Sequence, residues 1–272
     1  MRILICTDGS KQAEDAIRFG YPIAKGLGSE VTILGVAERP RNIAGVEESL
    51  KQAEDLLTDL KIETKMREGY ADEEIVKESE EGYDLIIIGA IGRRGLKRFL
   101  LGQTAVKILK YARISVLVVR GKPSAVSNIM ICTGGGERGE EDIKFGGRIA
   151  KATGADVNIL HCVSQIPMVD IQEKEKQVLS TSLEEETRET KHLKKGLAIL
   201  KQLGVTGEAK LRYGLVEDEI FAEASAGNYD LLVVGAHATW GLGRYLLGDV
   251  TSRIIDHAEV PVLVVKSPKH II

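Results

Sequence analysis

Two kinds of apolar pattern alternate along the chain. Short runs, such as Leu85–Ile88 and Val116–Val119, are apolar at every position, while longer stretches repeat apolar residues every three or four places. A strand with one wet face would alternate; an unbroken apolar run suits a parallel sheet covered on both faces. In the first 120 residues these runs predict strands near 2–6, 31–36, 62–67, 84–89 and 115–119. The periodic stretches predict helices near 11–27, 44–60, 72–81 and 103–111. Alternating strands and helices joined by short links give right-handed crossovers and a doubly wound α/β sheet. Ligands on such sheets sit at the carboxyl ends of the strands, near the point where the strand order reverses.

The pattern then repeats. YDLIIIGA at 83–90 returns as YDLLVVGA at 229–236, an offset of 146, and that offset also carries residues 95–119 onto 241–265. Earlier, ILICTDGS at 3–10 matches IMICTGGG at 129–136 at an offset of 126, as VTILGV at 31–36 matches VNILHC at 157–162. Two constant offsets mean one duplication followed by an insertion of about twenty residues in the second copy. The expected domains are therefore 1–121 and 127–272, joined through a turn-forming segment at Gly121–Ser124. The insertion is expected as a charged, solvated amphipathic helix near 170–203, with partner docking as its alternative role.

Composition narrows the class. With 37 basic and 40 acidic side chains the net charge is -3, which gives no general pull toward nucleic acid or anionic membrane. Aromatic residues, at 4%, are too scarce for a base-stacking platform. Cys6, Cys132 and Cys162 stand singly in apolar segments, as buried reduced thiols do, and none joins the histidines in a metal-like cluster. No apolar run approaches the ~18 residues of a membrane span, so a soluble cytoplasmic protein is expected.

The chemistry concentrates in the loops of the first copy. Gly89, Gly92 and Gly102 form a G-x2-G-x9-G pattern after the fourth strand, and Gln103 and Thr104 open the next helix. Glycines let backbone approach a ligand closely, and a helix start offers unpaired N–H groups and a positive dipole end to phosphate. Arg93, Arg94, Lys97 and Arg98 add positive charge between the glycines. Asp8, at the end of the first strand, can accept from ribose hydroxyls, or alternatively cap the helix at 11–27.

On these motifs the chain resembles a tandem member of the universal stress protein family, over nearly all of both halves, with the glycine spacing of its ATP-binding subgroup. The resemblance implies two five-stranded parallel sheets of order 3-2-1-4-5 (the universal stress protein and adenine nucleotide alpha hydrolase-like fold). It further implies that Val116–Val119 and Val262–Val265 pair across a pseudo-twofold axis, so that one chain mimics a dimer. Carried over by motif, Thr7 and Asp8 would contact ribose, Val36 would lie against adenine, and Gly89, Gly92, Arg93, Gly102, Gln103 and Thr104 would hold phosphates. Gln103 departs from the Ser or Thr of the family, so ATP and AMP both stay open as ligands, as does Mg2+. No catalytic or metal-binding residue is expected.

The second copy departs further: Gly134 replaces the aspartate, Ala238 the second glycine, and Asp249 follows Gly248. Asp249, as a helix cap, would occupy the amides a phosphate needs and repel it, so a degenerate, structural second site is expected. Gly134, Gly136 and Gly139 also fit G-x-G-x-x-G, but no acid follows the next strand to hold a ribose. His237 reads as a lone loop histidine. The function expected is nucleotide-dependent regulation in a stress response, because nothing in the first loop supplies the metal ligand or nucleophile-positioning group of phosphoryl transfer. The alternatives are a slow ATPase with Asp8 on magnesium, and an interaction module that binds no nucleotide. A protein partner of unknown kind is expected, and further homodimerisation is open.

Overall fold

The computed structural model describes residues 1–91, 101–121, 125–164, 186–236 and 248–266. The first half runs β1 (Arg2–Thr7), α1 (Lys11–Gly26), β2 (Glu30–Ala37), a 3-10 turn (Pro40–Asn42), α2 (Ile43–Leu56), β3 (Ile62–Glu68), α3 (Ala71–Ser79), β4 (Leu85–Gly89), α4 (Gln103–Tyr111) and β5 (Ser115–Val119). The second half runs β6 (Asn128–Thr133), α5 (Gly136–Thr153), β7 (Asp156–Val163), α6 (Arg188–Leu203), β8 (Gly207–Tyr213), α7 (Val216–Ala226), β9 (Leu231–Gly235), α8 (Asp249–His257) and β10 (Val262–Val265). Each element foreseen in the first half is present.

The ten strands form one sheet of order β3-β2-β1-β4-β5-β10-β9-β6-β7-β8. Each half has the 3-2-1-4-5 order with parallel pairing, and the halves join where β5 and β10 run antiparallel, Leu117 opposite Leu263. The unbroken apolar strands explain the layering. Alternate residues of β1, Ile3 and Ile5 against Leu4, enter separate cores on the two sheet faces, and each core continues across both halves. α1, α2, α5 and α6 cover one face; α3, α4, α7 and α8 cover the other. On the first face α1 and α5 meet, so tightly that a Cβ on Gly26 would stand 2.0 Å from the Ala152 carbonyl.

A reciprocal pair of cations locks the central seam. The buried Arg120, just after β5, donates to the Ile255 carbonyl of α8. Lys266, just after β10, donates through Nζ to the carbonyls of Leu109 and Ala112 at 2.7 and 2.6 Å, at the end of α4. Each half thus places a positive charge on the carboxyl end of the other half's helix, where orphan carbonyls and the dipole favour it.

One expectation is corrected here. The helix within the charged stretch near 170–203 is α6, and it is not a solvated insertion. It is the second half's counterpart of α2, it packs on α5, and Leu193 and Leu200 are buried in the core. The charges on its outer face disguised an apolar inner stripe. Residues 165–185, and with them the extra length of the second copy, lie outside the described residues, as do 122–124 of the join.

Candidate functional site

The carboxyl ends of β1, β2 and β4 open onto a cleft of about 940 Å³ in the first half. Its lining includes Thr7, Asp8, Val36, Gly89, Gly102, Gln103 and Thr104, so seven of the nine expected nucleotide residues converge on one space. Gly92 and Arg93, with Arg94, Lys97 and Arg98, lie outside the described residues.

Local geometry explains the convergence. The N–H of Gly102 donates to the Ala90 carbonyl at 2.8 Å, which folds the start of α4 back over the end of β4. Gly102 is the helix cap but brings no side-chain acceptor, and the first bond of the α4 ladder runs from Val106 N–H to its carbonyl. The amides of Gln103, Thr104 and Ala105 therefore start the helix without an intrahelical partner, on residues that line the cleft. Gly89 is required for packing as well as access, because a Cβ there would stand 2.9 Å from the Gln12 backbone.

Asp8 takes a role between the two that were expected. Its Oδ1 accepts the Ser10 N–H at 2.9 Å, while Gly9 sits at φ 70° in the left-handed region. The cap of α1 is Ser10, whose Oγ accepts from Ala13 N–H at 3.2 Å. Asp8 thus fixes the turn before the helix without capping the helix itself, and it remains part of the cleft wall. Leu34, Val36, Val46 and Ile75 make an apolar wall, and Glu38, Arg41 and Asn42 form a polar rim on the β2–α2 link. Sequence reasoning missed that rim; its available signal was the charged Glu38–Asn42 segment directly after a predicted strand. The Cys6 thiol on the cleft wall is pushed far up by burial and by Glu78, so it is inert.

The equivalent ground in the second half differs. Gly134, Gly135 and Gly136 replace Asp8, Gly9 and Ser10, with φ of 87° and 66° at the last two. Gly248 caps α8 and Asp249 is its first residue, with no side-chain cap bond, which corrects the expected capping by Asp249. Gly139, third of the G-x-G-x-x-G glycines, makes room for local side chains, since a Cβ there would fall 2.1 Å from Thr133 Oγ1. Asp142 stands where the first half has Ala16. It is buried, and a Cβ on Gly235 would stand 2.6 Å from its Oδ2. Burial, with a smaller push from Glu141, raises its carboxyl to about 8. His237 and Ala238 lie outside the described residues.

A model of the universal stress protein family matches residues 1–120 and 126–266. The chain belongs to the universal stress protein family. A universal stress protein of Methanocaldococcus jannaschii is 34% identical over 162 residues, 59% of this chain and 94% of that protein. Across the whole fold, the crystal structure of a universal stress protein from Archaeoglobus fulgidus DSM 4304 aligns over 97% of this chain and 98% of its own. Its TM-score is 0.68 at 19% identity. Another universal stress protein, solved in complex with cAMP, matches 44% of this chain and 96% of its own, with TM-score 0.39 at 23% identity. Among the described residues no three His, Cys, Asp or Glu side chains gather to hold a metal, and no helix is long and apolar enough to cross a membrane.

Proposed function

We propose that this universal stress protein binds one adenine nucleotide, in the first-half cleft, and that occupancy regulates its action in a stress response in the cytoplasm. In this reading adenine lies on Val36, Asp8 accepts from ribose, and the phosphates meet the amides at the start of α4. The observation that supports it most is the Gly102–Ala90 hydrogen bond, which sets an uncapped helix start on the same cleft as Asp8 and Val36. A ligand that favours one arrangement of these segments shifts the population a partner meets. Either ATP or AMP satisfies the apolar wall and the amides. Among the described residues the cleft gathers no cluster of carboxylates, so in this reading Mg2+ would be carried by the phosphates.

The test is isothermal titration of nucleotide-stripped protein with ATP and with AMP, with and without Mg2+. One nucleotide per chain is expected, lost in Gly102→Val and weakened in Asp8→Ala. Two per chain would show a working second site, and no heat with either nucleotide would overturn the reading. Steady ADP formation that depends on metal and on Asp8 would make the protein a hydrolase instead.

A further inference from the structure

The second half carries a histidine pair that has no counterpart in the first. His161, near the end of β7, is buried, and its Nδ1 lies 2.7 Å from the Thr133 carbonyl oxygen. A carbonyl only accepts, so Nδ1 carries the proton and the neutral ring keeps its lone pair on Nε2. His192 on α6 places Nε2 2.9 Å from Thr133 Oγ1, and the two rings stand edge to face, 5.7 Å apart. Thr133 Oγ1 also accepts the Gly135 N–H at 3.2 Å. A hydroxyl accepts twice and donates once, so a neutral His192 either receives the Thr133 hydrogen at a bare Nε2 or, in its other tautomer, donates to Oγ1. In the first half, Gly35 stands at the place of His161, and the corresponding helix α2 brings Gly45 and Val46 to the cleft.

We propose that the His161–Thr133–His192 cluster is a proton-sensing site, so that the second half responds to acid whether or not the first half holds nucleotide. A protonated His192 can only donate to Thr133 Oγ1, which fixes the direction of that bond. The hydroxyl hydrogen must turn away from the ring, and Oγ1 then accepts from the imidazolium and from the Gly135 N–H of the Gly134–Gly136 turn together, so the turn amide senses the charge. The second imidazole opposes the same charge from 5.7 Å away. Burial first, and His161 second, hold His192 below the ordinary histidine range. Glu140 on α5 pulls the other way, but Lys195 binds Glu140 at 2.6 Å and opposes protonation itself. A histidine with a lowered native pKa leaves the unfolded chain binding more protons below that range, so stability falls as pH drops through it. Asp142, with its raised carboxyl, gives the opposite slope, so the comparison must hold Asp142 constant.

The experiment is a ring titration by NMR on the full chain, with His192 assigned through His192→Gln, alongside urea unfolding of both proteins at pH 7.5 and 5.5. Glutamine preserves a polar group beside Thr133 and does not titrate. His192 is expected to titrate below a histidine peptide in the same buffer, with the Gly135 amide moving in step. The native chain should lose several-fold more of its folding equilibrium constant on acidification than His192→Gln. Titration at the peptide position with Gly135 unmoved overturns the proposal, and so do equal losses in the two proteins. If His192→Gln does not fold, the coupled or uncoupled movement of Gly135 in the native chain decides.

Discussion

The two halves agree where strand is fastened to helix and disagree where the cleft opens. In the first half Glu78 on α3, fully buried, accepts from Lys65 and Arg67 on β3 and from Tyr83 before β4. In the second half Glu223 accepts in the same way from Lys210, Arg212 and Tyr229. The seam cations Arg120 and Lys266 are similarly matched. Around the open ends of β1 and β2, by contrast, Asp8 and Gly35 correspond to Gly134 and His161, and Ala16 of α1 corresponds to Asp142 of α5. A buried charge network fails as a unit when one member goes, so divergence after duplication is cheapest at the open strand ends.

The largest expected effect tests that shared fastening. Burial pushes Glu78 and Glu223 up, but their cationic partners and tyrosines outweigh it and hold both carboxyls below the usual range. This contribution is complete above the ordinary carboxylate range and is lost as pH falls through the lowered native value. Glu78→Gln and Glu223→Gln should each cost about 3 kcal/mol at pH 7, toward the lower end for a broken buried pair because the cations keep some water. Urea unfolding reads both. A cost confined to one half would break the symmetry.

Next in size is Asp142→Ala, which restores the first half's residue. With its carboxyl raised to about 8, Asp142 weakens the fold increasingly as pH climbs from the ordinary aspartate range to 8. Removing it should stabilise the protein by about 2 kcal/mol or more at pH 8, each pKa unit being worth about 1.4 kcal/mol before relaxation. The gain should vanish near pH 4. A variant no more stable at pH 8 than the native chain would show that the carboxylate has found water or a cation.

Why the sequence revealed the scaffold and hid the second half follows from these residues. Unbroken runs such as Leu85–Ile88 announce a doubly covered parallel strand wherever they occur, and the duplication doubled the signal. Asp8, Val36 and Gly102 were legible because each sits at a strand or helix end that the pattern already located. Asp142 and His192 sit inside amphipathic helices, where a polar residue reads as outward-facing unless the helical phase is known to a single residue. α6 was misjudged for the same reason, since Thr190, Leu193, Gly196 and Leu200 make only a thin inward stripe.

A smaller effect separates two residues that look alike. Arg120 and Lys266 occupy matching places, but only lysine can shed its proton. Burial lowers the Lys266 ammonium to about 7, so between pH 7 and the ordinary lysine range the unfolded chain binds the extra proton and native stability rises with pH. Lys266→Met loses two hydrogen bonds to the end of α4 but also relieves the burial of a charge, and these oppose each other. The net change at pH 7 should therefore stay within about 1 kcal/mol. The informative quantity is the slope: between pH 7 and 9 the native chain should gain stability relative to Lys266→Met. Arg120→Met should show no such drift, because the guanidinium stays charged throughout. Parallel pH profiles for the two variants would mean that the carbonyls of Leu109 and Ala112 hold the lysine charged, and the seam would then be symmetric in chemistry as well as in place.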